Sequence, residues 1–138
     1  FRIVVAHHPF LGEEGVHANG RPAVMVKRAA RALSTFARAE VDIVLAGHLH
    51  RTYAATYPGN ESTTARVIAQ KGPPAHRVMT IQAGTALSAR TRGEANSFNR
   101  IEIADRCMRV SAVTLTAGGW RSAEAPLAEV CKPAAEGP

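Results

Sequence analysis

The sequence predicts an α/β fold in which a parallel strand–helix–strand unit leads into antiparallel strands. Three observations carry that reading. Two short apolar runs, Ile3-Val4-Val5-Ala6 and Ile43-Val44-Leu45-Ala46, have the length and continuity of strands buried inside a parallel sheet. Between them Val26, Ala29, Leu33 and Phe36 recur at helical spacing, opposite Lys27, Arg28, Arg31 and Arg38. Further on, Ser97 to Ala104 and Met108 to Thr116 flank Asp105-Arg106 as the two arms of a hairpin.

Taken in order, the first strand ends at His7-His8-Pro9, where proline stops the ladder and keeps His8 extended. Phe10 to Gly20, with Gly12, Gly15 and Gly20, reads as a loop containing His17 as a surface residue. Pro22 suits a first helical position, and the helix is expected from there to about Ala39. The second strand ends at Gly47, which permits a sharp turn and close approach of a ligand. His48 and His50 follow. If the backbone stays near extended there, their side chains leave on one side, roughly 6–7 Å apart.

Arg51 to Tyr57 is rich in strand formers, and Pro58-Gly59-Asn60 is a turn signal. Arg66 to Gln70 reads as another strand, Lys71 to Pro74 as a loop, and His76 as a surface residue. Val78 to Ala83 is a strand closed by Gly84. Thr85 to Glu94 is a polar loop carrying Arg90 and Arg92. From Ala117 onward Gly, Pro, Ala and Glu dominate, no element is expected, and residues 134–138 form a frayed tail. Residues 1–133 are then parts of one domain.

Composition bounds the function. At 138 residues, with 46 % hydrophobic and 20 % charged residues, the chain matches an ordinary globular domain. No apolar run reaches the length of a membrane span, so no membrane partner is expected. The chain begins at Phe1 and leads straight into a strand, as a piece cut from a longer domain would. The net charge of +6 and pI near 10.2 suit a phosphorylated ligand. The basic residues are dispersed from Arg2 to Arg121 and aromatics are only 5 %, so stacking on nucleic-acid bases is not expected. Cys107 and Cys131 form no C-x-x-C pair, and read as two free thiols in a reducing, cytoplasmic setting.

Both histidine groups stand at the carboxyl ends of parallel strands, where open α/β sheets bind ligands. They therefore fall on one edge of one sheet. Imidazoles fixed at such an edge suit a borderline transition metal. His7, His48 and His50 are expected to converge on a region about 4–6 Å across, the scale of two adjacent metals.

Val4-Val5-Ala6-His7-His8-Pro9 followed by Gly47-His48-Leu49-His50 resembles the last two motifs of the calcineurin-like metallophosphoesterases. Gln82-Ala83-Gly84-Thr85, Arg90-Thr91-Arg92-Gly93 and Asn96-Ser97-Phe98-Asn99 are similar to the bacterial phosphodiesterase-like branch of that superfamily. The resemblance spans about Ile3 to Ile103. It implies the C-terminal half of a layered β-sandwich flanked by helices, and a hydrolase of phosphodiesters or phosphomonoesters. It also implies two divalent or trivalent metal ions, such as manganese, iron or zinc, which together generate and hold a hydroxide.

Carried over by position, His7 and His48 would bind one metal and His50 the other. His8 would stand beside a ligand without being one, Gly47 would give the turn its freedom, and Arg90 and Arg92 would meet substrate phosphate or pair with Glu94. The family's earlier D-x-H, G-D-x-x-D and G-N-H-D/E motifs are absent from this chain. Gly59-Asn60-Glu61 lacks the histidine and comes in the wrong order. Without their carboxylates the chain alone is expected to hold at most one metal weakly and to be inactive. Its partners would be a small phosphorylated substrate and the missing N-terminal half of the domain. The alternative is a non-catalytic α/β module that binds a phosphorylated ligand or serves as one part of an assembly.

Overall fold

A computed structural model describes residues 1–12, 25–57 and 76–134. His17, Pro22, the turn at residues 58–60, the strand expected at 66–70, the loop at 71–74 and all but the first residue of the expected tail lie outside them. Strands β1 (Ile3–Val5), β2 (Ile43–Ala46), β3 (Tyr53–Tyr57) and β4 (Val78–Gln82) form one mixed sheet in the order β1-β2-β4-β3. β1 and β2 pair parallel, as do β2 and β4, while β3 runs antiparallel to β4. Helix α1 (Ala29–Arg38) provides the crossover from β1 to β2.

The second sheet is antiparallel. β5 (Ser97–Ala104) and β6 (Cys107–Thr116) form the expected hairpin, with Asp105 at φ 51° in its turn. β7 (Gly119–Ser122) and β8 (Ala128–Cys131) both pair with β6, in a stretch where composition suggested no strand. Their Gly and Ala content weakens intrinsic β-propensity. Pairing along the long β6 supplies what local sequence lacks.

The alternation of side chains along β2 sorts the core into two layers. Val44 joins Leu33, Ala37, Val41, Tyr57, Val78 and Phe10 between the mixed sheet and α1. Ile43 and Ile81 meet Met108, Val110 and Ala128 between the two sheets. Ile43, Val78, Leu33, Met108 and Val110 are all fully buried, and each contributes about 1.5–3 kcal/mol by leaving water. Arg31 and Arg38 on the helix stay at the surface, as do Lys27 and Arg28 just before it. α1 begins at Ala29 rather than near Pro22, because Arg28 sits at φ 60° and residues 25–28 do not continue the helix. Among the described residues, no helix is long and apolar enough to cross a membrane.

The cysteines are not free. Cys107 and Cys131 are register partners across β6 and β8 and form a disulfide. Arg106 and Lys132, one position outward, share a ladder hydrogen bond at 2.8 Å, which makes 107–131 a non-hydrogen-bonded pair, the kind whose side chains come closest. This overturns the free-thiol reading and removes the basis for placing the chain in a reducing compartment.

Beside this bond the amino-terminal end of β2 is fastened. Asp42 is buried. Its carboxylate accepts from Lys132 Nζ and, at 2.8 Å, from the Arg2 amide. His76 Nε2 lies 3.3 Å from Asp42 and 3.1 Å from the Val41 carbonyl. His76 is therefore half-buried and bonded, not the surface residue its sequence context suggested.

Candidate metal centre

The carboxyl ends of β1 and β2 lie side by side, with Val5 in register with Leu45. The chain leaves β1 straight into His7-His8 and leaves β2 into His48. Backbone bonds continue past the strands: Ala6 N to Leu45 O at 2.9 Å, and Gly47 N to His7 O at 3.2 Å. The two histidine segments are thus held together by main chain before any side-chain contact is made.

His7, His8 and His48 converge. One ligating nitrogen of each lies within 4.8 Å of the others. His48 Nδ1 is 3.0 Å from His7 Nε2, and the three ring centroids stand 4.2–4.8 Å apart in edge-to-face contact. His8 Nδ1 is buried and has no hydrogen-bond partner among the described residues, an arrangement that costs free energy unless something binds it. Partial burial, and then the nearby His8, His7, His50 and Arg92, hold the His48 imidazole below its ordinary pKa. The His48 ring is thus favoured in its neutral form, the form in which imidazole binds metal.

The donor set fits one metal of the zinc type, with three imidazoles and a position left open. Among the described residues the cluster includes no carboxylate. It therefore lacks the charge that two adjacent dications require.

His50 stands apart from this trio. Its Nδ1 donates to the carbonyl of Arg90 at 2.7 Å. The sequence-based geometry assumed extended backbone from His48 to His50. Instead His48 has φ 76° and His50 φ 57°, so the chain bends sharply at both and the same-side argument does not apply. Left-handed conformations are uncommon outside glycine, with asparagine, aspartate and histidine the side-chain-bearing residues enriched in them, and they cluster at functional sites.

Gly47 is not the residue whose freedom makes the turn. Its backbone lies outside the positive-φ region, and a Cβ there would meet nothing within 4 Å. The positive φ falls on the histidines. Gly84 is the constrained glycine, since a Cβ would lie 2.1 Å from Ser97 Oγ and 2.8 Å from Thr52 Oγ1.

Gln82 was not singled out from sequence as a site residue. Buried at the end of β4, its Nε2 donates to the carbonyl of Gly47 and holds the turn that presents His48. A glutamine closing the otherwise mostly apolar strand Val78-Met79-Thr80-Ile81-Gln82 was the available signal. Glu94 pairs with Arg51 at 3.2 Å. Of the two loop arginines, Arg92 lies near enough for its charge to be felt at His48.

No protein-family model matches the chain, and no curated protein does. Among solved structures it is similar to two crystal structures of Vps29 from Entamoeba histolytica. The single mutant matches at 17 % identity and TM-score 0.42, over 79 % of this chain and 51 % of that one. The double mutant matches at 18 % identity and TM-score 0.41, over 82 % and 51 %. The chain therefore spans about half the length of the structures it matches.

Proposed function

We propose that this chain is the C-terminal part of a metal-dependent phosphoester hydrolase of the calcineurin-like type, and that His7, His8 and His48 are its contribution to the metal centre. The observation that carries the reading is the convergence of three imidazoles at the ends of two adjacent parallel strands, one with a buried nitrogen that has no partner among the described residues. Bound there, a metal would act as a Lewis acid toward a phosphoryl oxygen and lower the pKa of bound water. The chain's own residues hold it: the main-chain bonds between the strand ends set the spacing, Gln82 fixes the turn before His48, and the surroundings of His48 favour its neutral ring. Arg92, whose charge is felt at His48, would attract and orient a phosphate, a role that suits its fixed positive charge.

Carboxylates for a second metal and for a bridge would come from an N-terminal half. Its docking place would be the edge of β1, unpaired among the described residues, where Ile3 is 40 % and Val5 77 % exposed. The test compares this chain with a polypeptide in which that half precedes it. Zinc should bind the chain alone, and phosphodiester hydrolysis with manganese should need both halves. Metal-dependent turnover by the chain alone, abolished by His48→Ala, would refute the division of labour.

A second reading is a non-catalytic module that binds a phosphorylated ligand. The absence of a carboxylate from the cluster, among the described residues, favours it. Phosphate binding without turnover by the two joined halves would select it.

A further inference from the structure

The edge of β5 away from β6 is unpaired among the described residues. Which backbone groups it offers follows from the ladder on its other side. Leu115 N donates to Asn96 O at 2.8 Å, so the even-numbered residues of β5 turn their N–H and C=O toward β6. The odd-numbered residues turn theirs outward. Ser97 obeys this: its N–H leaves the edge and is taken by Thr85 O at 2.9 Å. Beyond it, Asn99, Ile101 and Ile103 present a row of outward main-chain donors and acceptors.

Such an edge recruits another strand unless Pro, Lys, a bulge or an inward-pointing charge blunts it. β5 has none of these. Ser97-Phe98-Asn99-Arg100-Ile101-Glu102-Ile103-Ala104 holds no Pro, Gly or Lys, and its register with β6 runs unbroken from end to end. Ile101 and Ile103 stand opposite Val110 and Met108, which are fully buried between the sheets, yet they are 36 % and 57 % exposed. The inter-sheet layer therefore ends at this edge with apolar surface in water.

Charge selects the strand that fits. On the other face of β5, Arg100 and Glu102 flank Ile101 symmetrically, pair with each other at 2.9 Å and are half-exposed. Laid antiparallel to itself about Ile101, β5 sets Ile101 against Ile101 and Asn99 against Ile103. Those are the residues whose main-chain groups point outward, so they meet as hydrogen-bonded pairs. Arg100 then faces Glu102 of the second copy, and Glu102 faces its Arg100. Both are non-hydrogen-bonded pairs, whose side chains approach most closely. The adjacent registers of the same parity fail, because one sets Arg100 against Arg100 and the other Glu102 against Glu102. Self-complementarity of this kind is what a two-fold interface requires.

We propose that β5 is a homodimer interface: two copies of this chain join antiparallel through Asn99, Ile101 and Ile103, in a register fixed by Arg100 and Glu102. The result is one continuous antiparallel sheet across both copies. Pairing stops at Ser97, whose N–H Thr85 already holds. The interface leaves the edge of β1, in the other sheet, to the N-terminal half, and it does not rest on the metal reading.

Sedimentation velocity of this chain over a concentration series, with hydrogen exchange at both ends of the series, tests the proposal. A concentration-dependent species of two chains is expected, with the amides of Asn99, Ile101 and Ile103 gaining protection as it forms. Glu102→Arg sets arginine against arginine across the axis, and Arg100→Glu sets glutamate against glutamate. Each should weaken the dimer about ten-fold or more. Mixed together, the two variants should pair with each other at about the original strength. The double variant Arg100→Glu, Glu102→Arg should do so with itself, an outcome that damage to the fold would not produce.

A chain that stays monomeric at every soluble concentration would overturn the proposal, as would a dimer indifferent to both charge reversals. So would those three amides becoming protected in a monomeric polypeptide that carries the N-terminal half, since that half would then occupy the edge.

Discussion

Nδ1 of His48 lies 3.0 Å from Nε2 of His7, so rings carried by two different strands meet through nitrogens that both could ligate a metal. A metal at this cluster must break that contact and take its place. His8 stands beside them with its Nδ1 buried and unpartnered among the described residues. Motif position alone excludes His8 from the ligands. The geometry includes it. His8→Ala should therefore weaken zinc binding at least ten-fold, as should His48→Ala. Calorimetric titration of both variants checks this, and unchanged affinity in His8→Ala would return it to a supporting role.

The left-handed backbone at His48 sets function against stability. A residue with a side chain at φ 76° carries a cost of about 1–2 kcal/mol that glycine largely avoids. His48→Gly should raise the free energy of unfolding by about 1 kcal/mol while losing zinc affinity. Urea denaturation beside a zinc titration measures both. A loss of stability would mean that the ring's contacts outweigh the backbone strain.

The two glycines nearest the site should respond in opposite ways. Gly47→Ala adds a Cβ to open space and should change stability by less than about 0.5 kcal/mol. Gly84→Ala forces Ser97 Oγ and Thr52 Oγ1 apart and should cost about 1–3 kcal/mol. Thermal melts of the two variants side by side test the contrast, which equal costs would contradict.

Acid should loosen the end of β2. Burial pushes the Asp42 carboxyl up, but the hydrogen bond from Lys132, the Arg2 amide and the charges of Lys132 and His76 outweigh it. The pKa lies below its ordinary value of 3.8. A carboxylate with a depressed folded pKa gives stability that is present above 3.8 and lost as pH falls through the folded value. Asp42→Asn should abolish that part of the acid dependence and cost about 1–3 kcal/mol at neutral pH, Lys132 being able to swing to water. Denaturation from pH 7 down to 2 shows whether the slopes of the two proteins differ.

Reduction should release β8. The Cys107–Cys131 bond closes a loop across 24 positions, worth about 3 kcal/mol by loop entropy. Intact-mass measurement of unreduced protein should show two hydrogens fewer than the reduced form. Melting should fall on adding reductant and not in Cys107→Ser. A thiol count of two in protein purified from its native source would refute the bond.

The sequence by itself determined the parallel unit and its chemistry-bearing edge. Ile43 to Ala46 is a strand because a continuous apolar run of that length is satisfied inside a parallel sheet. Ile3 to Val5 pairs with it from the edge position of the described sheet, with Ile3 and Val5 exposed, and the histidines follow both runs. The Ser97–Thr116 hairpin was legible from its turn and its flanking arms. Tertiary structure decided what depends on partners distant in the chain. β7 and β8 exist because β6 offers them a ladder, and Cys131 finds Cys107 only through that register. The left-handed turns at His48 and His50, the place of His8 beside His48, and the hold of Gln82 on Gly47 are likewise invisible to local pattern. Each is set by contacts across 35 to 42 positions, where neighbouring side chains carry no information about which groups will meet.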